Sequence, residues 1–255
     1  MNKCIIVYRN NLYDGVMEKD KKIKIILSLA YLIIISIFLW AFFSYFSLSE
    51  LTSYDFIKNN RNYLVNFKNT NYFLVIILFF LTTIFWVMLL GFGTPIALLG
   101  GFLFGKWLGT VIVTISLSIG ATFLYLFSNY FLKDFIKNKF SKKFEKFNEN
   151  FKKNEFTFFL IYRFIGGVPF FLSNIIPTLF NIKTINFIIG SILGMAPQLF
   201  VWTSLGSGIE KIIDENLEAP SFSKIIFSQE IYLPIIAFII LLILGIFAKK
   251  KFFKK

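Results

Sequence analysis

The chain has 255 residues, 56% of them hydrophobic and 20% aromatic, with a mean hydropathy of +0.70. One cysteine, Cys4, and no histidine exclude a disulfide framework and Cys/His metal sites. The net charge of +13 is clustered, with six Lys/Arg in 1–24, eight lysines in 128–155 and five in the tail, against five carboxylates in 207–230, a pattern that fits membrane orientation and argues against nucleic acid as a partner.

Residues 1–24 read as a basic cytoplasmic tail. The run 25–46 that follows holds 22 positions without a charge and is closed by no small-x-small cleavage site, so it is expected to be a retained signal-anchor helix. At roughly 1.5 Å per residue it covers a hydrocarbon core of about 30 Å. Further apolar runs lie at 72–90, 107–127, 184–206 and 231–248, the last followed by the basic tail 249–255. The expected architecture is an all-α polytopic protein of the plasma (inner) membrane with both termini cytoplasmic.

Charge then constrains topology. A cytoplasmic N-terminus places the nearly balanced segment 47–71 outside and the strongly basic 128–155 inside, which requires an odd number of crossings between them. Two apolar runs lie there, separated by GFGTPIALLGGFLFGKWLG. The segment 72–105 is therefore expected to enter and leave on one side, turning at Gly91–Pro95, while 107–127 crosses. Between 155 and the acidic 207–230 the same parity recurs: 156–180 is broken at Gly166-Gly167-Val168-Pro169, and 184–206 crosses.

An offset of 74 residues places Gly93 on Gly167, Pro95 on Pro169, Leu98 on Leu172, Thr110 on Thr184, Ile115 on Ile189 and Gly120 on Gly194. One half starts outside and the other inside, so the expected fold is two inverted repeats, each a re-entrant broken helix plus a transmembrane helix, with flanking transmembrane helices. Such repeats place a substrate site where their broken helices meet. Kinked spanning helices are the other reading of the same glycines and prolines.

Between the halves, Phe131, Phe135, Phe140, Phe144, Phe147 and Phe151 recur among eight lysines, as in an amphipathic helix lying on the cytoplasmic interface. Arg163 opens the second break. It is one of three arginines against 24 lysines, and no Asp or Glu lies between Glu155 and Glu210. A guanidinium stays charged in low dielectric and its fork of donors fits phosphate oxygens. Its other reading is a snorkelling side chain, or one that binds re-entrant backbone carbonyls. The candidate anion-binding residues are Arg163, Gly166, Gly167, Pro169 and Asn174 from the second break, with Pro95, Gly100, Gly101 and Gly105 from the first. Glycines expose backbone N–H groups, and a proline begins a helix whose positive end can face an anion. Asn174 can equally cap the turn at Pro177, and Gln198 reads as a helix–helix contact. Without histidine, embedded carboxylate pairs or a thiol near these residues, no enzymatic chemistry, metal or cofactor is expected.

Two blocks carry a family resemblance. TPIALLGGFLFGKWLGTVIVTISLSIGATFLYLFSNY, residues 94–130, resembles the Pro and Gly-rich turn of the DedA superfamily, through Pro95, Gly101, Gly105, Gly109 and Gly120. FFLIYRFIGGVPFFLSNIIPTLFNIKTINFIIGSILGMAPQLFVWTSLGSGI, residues 158–209, is similar to its R-x-x-P-x-x-P-F…N segment, through Arg163, Pro169, Phe170, Asn174, Gly194 and Pro197. Gly166 replaces the first proline, the acidic residue of the bacterial DedA branch near the first loop is absent, and Ser128-Asn129-Tyr130 stands at a "GR"-like position, so the chain sits nearer the VTT (SNARE-associated Golgi protein) branch. The resemblance covers a core over 72–209 that includes the linker 128–155. It implies membrane lipid handling: movement of an anionic head group between leaflets, with membrane lipids as partners and a homo-oligomer left open. A transporter of a small soluble anion and a non-transporting membrane-organising protein stay open beside it.

Overall fold

The computed structural model describes residues 54–131, 133 and 154–215, together with separate helical positions between 26 and 44 and between 227 and 243. The tails 1–24 and 249–255 and most of the linker 128–155 lie outside the described residues. No strand occurs among those described, in line with the all-α expectation. Two helices are long and apolar enough to cross a membrane, and they coincide with the expected crossings 107–127 and 184–206.

α1 (Tyr54–Thr70) and α2 (Tyr72–Met88) follow one another directly. α2 has no charge and stops where Leu90 turns to φ 61 and the Gly91 N–H reaches back to the Trp86 carbonyl at 2.9 Å. That left-handed turn satisfies carbonyls that would otherwise be orphaned at a helix end. α3 (Gly93–Phe104) restarts at once, with Pro95 in its first turn, where a missing N–H costs nothing. It ends at Gly105, whose φ of 76 suits glycine. α4 (Lys106–Phe131) then runs the length of the molecule and takes in 128–131, which had been assigned to the linker.

A second break follows in residues 154–215. α5 (Glu155–Ile165) ends in two successive left-handed residues, Gly166 (φ 65) and Gly167 (φ 80). Pro169 precedes the short α6 (Phe170–Ile175), one 3-10 turn follows over Ile176–Phe180, and Asn181 reverses the chain at φ 51. α7 (Thr184–Glu215) is the longest helix among the described residues, with Pro197 inside it, and it continues through 207–215, expected as connector.

Each short pair returns to the end it started from. Lys68 Nζ donates to the Leu103 carbonyl at 3.0 Å, and the Tyr72 and Phe104 rings lie 6.4 Å apart, so α2 starts where α3 finishes. A Glu155 carboxylate oxygen accepts from the Lys183 backbone N–H at 2.7 Å and from Asn186 Nδ2 at 2.9 Å, so α5 starts where α7 starts. α4 and α7 are antiparallel. Trp107 lies on Phe200 and Thr110 Oγ1 is 2.6 Å from Thr203 Oγ1 at one end, while the Tyr125 hydroxyl donates to the Ile182 carbonyl at 2.6 Å at the other.

In lipid there is little hydrophobic drive between helices, so close packing through small residues takes its place. A Cβ on Gly101 would lie 2.0 Å from the Thr203 carbonyl oxygen, and one on Gly206 would lie 2.0 Å from that of Leu98. α3 and α7 therefore cross backbone to backbone. Two more glycines make close contacts: Gly120 of α4 sits against Ile84 and Val87 of α2, and Gly194 of α7 against Leu160 and Arg163 of α5.

Arg61 Nη2 lies 2.7 Å from Glu210 and 2.6 Å from Asp214, tying α1 to the end of α7. Residues 54–71 and the acidic 207–215 share one end, as the charge argument requires. Asp214 is well exposed and these are surface pairs, so Arg61→Gln is expected to cost about 0.5–1 kcal/mol, with the difference from wild type shrinking as salt is raised. Thermal unfolding in detergent at low and high salt checks this; a deficit that salt leaves unchanged would assign the loss to packing.

Candidate functional site

The two breaks meet. A cavity of about 270 Å³ takes one wall from Phe92, Gly93 and Thr94 at the start of α3, and another from Tyr162, Arg163 and the 166–170 turn. Ser173 of α6 and Met195 and Gln198 of α7 complete it. Phe92 and Pro169 at its margin are exposed, whereas Arg163 is 96% buried. The cavity is an open notch with a cation at its base.

Arg163 stands in the last turn of α5, where the negative end of the helix favours a cation. Its fork is held from three sides. Nε donates to Ser191 Oγ at 3.1 Å, Nη1 to Ser173 Oγ at 2.8 Å and Nη2 to Asn174 Oδ1 at 2.7 Å. The guanidinium carbon lies 5.1 Å from the Phe159 ring centroid and 4.9 Å from that of Phe187, and these two rings stack on each other. Desolvated cation–π contacts are worth up to about 2 kcal/mol each. All these partners are neutral; among the described residues no carboxylate pairs with Arg163. Three of its five N–H groups are engaged, and the charge is oriented but not neutralised.

Register places this group in depth. Tyr125 stacks on Phe187 and Thr110 meets Thr203, so Ser191 falls opposite the stretch around Ala121, close to the middle of the 26-residue α4. Arg163 therefore binds side chains in the interior and does not snorkel to an end or bind backbone carbonyls, as its other reading had it.

Residues 91–208 match the family model described as the VTT domain, the domain of the DedA/SNARE-associated Golgi protein family. The match runs from the turn before α3 to the last third of α7, so it contains both breaks and the whole cavity lining. Residues 91–208 are a VTT domain. No solved structure matches the chain.

Within the VTT domain the sequence-derived site residues divide in two. Arg163, Gly166, Gly167 and Pro169 line the cavity together. Asn174 lies behind it, fully buried and hydrogen-bonded to Arg163, so it positions the guanidinium and neither lines the notch nor caps the turn at Pro177. From the first break, Gly93 and Thr94 reach the cavity, whereas Pro95, Gly100, Gly101 and Gly105 do not. Pro95 is exposed in the first turn of α3, Gly100 and Gly101 are packing positions against Val113 and Thr203, and Gly105 turns the chain into α4. Sequence reasoning missed Tyr162, Ser173 and Ser191 and read Gln198 only as a helix contact. Gln198 follows Pro197, whose missing N–H leaves the helix open there, a signal that marks the α7 side of the cavity.

Proposed function

We propose that the VTT domain carries an anionic lipid head group between leaflets, sheltering it in the notch between the two breaks while the acyl chains stay in lipid. The observation that carries this reading is a buried cation, without a paired carboxylate, at the base of a cavity that both broken segments line. Some 270 Å³ lies just under the roughly 300 Å³ where small-molecule pockets begin, which suits a head group and not a whole lipid.

In this reading the protein is a multi-pass protein of the inner membrane with cytoplasmic termini. The hairpin 72–105 re-enters from outside and 155–183 from inside, as an inverted pair. The shortness of their helices supports it: at 17, 12 and 11 residues, α2, α3 and α5 each fall short of a core of about 30 Å. So does the return of each hairpin to the end it left. No chemistry on the cargo is needed, and no cofactor.

The test is reconstitution of the full chain into sealed vesicles holding an acyl-labelled phosphatidylglycerol in both leaflets, with an impermeant reductant added outside. Loss of signal beyond about half, the outer-leaflet share that an impermeable bilayer allows, is the expected result. A plateau at half with confirmed insertion would overturn lipid movement. Release of a trapped small anion from the same vesicles would then favour a soluble cargo in the same notch.

A further inference from the structure

The notch stops short of its own cation. Arg163 keeps 4% of its surface exposed, and Ser173, which accepts from its Nη1, keeps 8%. A head group on the guanidinium needs a wider approach than that, so part of the lining has to move before cargo binds. Which part moves follows from how firmly each is held.

The wall from the first break is tied down. The Gly91 N–H donates to the Trp86 carbonyl at 2.9 Å, and the Trp86 indole N–H donates to the Phe92 carbonyl at 2.9 Å. A Cβ on Gly91 would lie 2.2 Å from the indole nitrogen, so the ring is packed onto the turn. Arg163, Ser173 and Gln198 stand on helices, and the first two are joined by the guanidinium itself. The turn 166–169 has no such ties. The Gly166 N–H reaches the Tyr162 carbonyl at a long 3.4 Å, and among the described residues no hydrogen bond holds Gly167 or Val168. Gly167 and Pro169 are exposed, and a Cβ on Gly167 would meet nothing within 4 Å. Segments held this weakly open at low cost. The backbone also depends on glycine here. Gly166 sits at φ 65 and ψ −139, next to the region that essentially only glycine enters, and Gly167 follows at φ 80.

We propose that the turn 166–169 is a lid, closed over Arg163 in this structure and able to swing about Gly166 and Gly167 to admit an anionic head group. This deepens the lipid-movement reading and rests on it, since it takes Arg163 as the group that meets cargo. The experiment uses the full chain with Cys4→Ser, its lone cysteine removed, and follows the reaction of Ser173→Cys with an anionic methanethiosulfonate. Ser116→Cys, fully buried on α4 and outside the cavity lining, is the reference. Slow reaction at 173 and none at 116 are expected. Gly166→Ala denies the lid its closed backbone, and its Cβ would sit 3.3 Å from Gln198 Oε1. Reaction at 173 should then rise about ten-fold while 116 stays unreactive. Should Gly166→Ala also expose 116, Gly167→Ala takes its place, with a rise of several-fold at 173 alone. A rate at 173 that neither alanine changes, or a rise matched at 116 in both variants, would overturn the lid whatever the vesicle assay shows. Lid behaviour without lipid movement would leave the lid standing and overturn the lipid reading instead.

Discussion

Arg163→Ala is expected to lose most lipid movement and also to lower stability, by about 3–5 kcal/mol. The side chain joins α5 to α6 through Ser173 and Asn174 and to α7 through Ser191, and truncation leaves those three buried groups without their donor. The sequence alone marked Arg163 as a candidate anion-binding residue; three interior hydrogen bonds make it a structural node as well. Arg163→Lys should not restore it, because one ammonium cannot serve three separated acceptors. Stability and function can be parted by combining Arg163→Met with Ser173→Ala, Asn174→Leu and Ser191→Ala. Replacing a buried polar cluster with apolar groups often restores stability, so this variant should melt near wild type and still fail to move lipid. Thermal unfolding and the vesicle assay check both halves. A quadruple variant that transports at the wild-type rate would remove Arg163 from the site.

The largest purely structural effect is expected at the crossing of α3 and α7. Gly101→Ala would bring its Cβ to 2.0 Å from the Thr203 carbonyl oxygen and 2.6 Å from the Thr203 Cα, and both are backbone atoms with no rotamer to yield. Gly206→Ala meets the Leu98 carbonyl in the same way. The helices must part, at the upper end or beyond the roughly 1–3 kcal/mol of ordinary overpacking. Gly93 and Thr94 at the start of α3 would move with them, opening the cavity wall. Gly167→Ala makes the useful contrast. Nothing lies within 4 Å of its added Cβ, so its cost is the φ of 80 alone, about 1–2 kcal/mol. Yield of monodisperse protein and melting temperature should rank Gly101→Ala and Gly206→Ala well below Gly167→Ala. The reverse order would mean that backbone conformation, not close approach, limits this fold.

Much of the plan was legible because bilayer physics writes itself in long strings. The stretches over α4 and α7 have length and apolarity that leave little choice, and the breaks announce themselves through Gly166-Gly167 and Pro169. Charge parity anticipated that 47–71 and the start of the acidic segment share an end, where Arg61 meets Glu210 and Asp214. It did not anticipate a helix over Tyr54–Thr70, whose register depends on that tertiary contact. The surroundings of Arg163 were hidden for another reason. Serine is common in membrane helices, and nothing local distinguishes Ser191, 28 residues away, from any other. Only the packing of α5 against α7, at Gly194, brings it to the guanidinium. Gly100 and Gly101 misled because close packing and ligand approach demand the same residue.

In the proposed reading, Arg163 gives the molecule an electrical property. Its guanidinium lies level with the middle of α4, so in a membrane that α4 crosses it would feel about half of any voltage, roughly 1 kcal/mol at 100 mV. A monoanionic cargo would cancel that charge. The loaded site would then be neutral and indifferent to voltage, whereas the empty site would not. Where the empty site changes depth between its two states, polarising the membrane would bias which way it rests, and with it the leaflet from which the next cargo is taken.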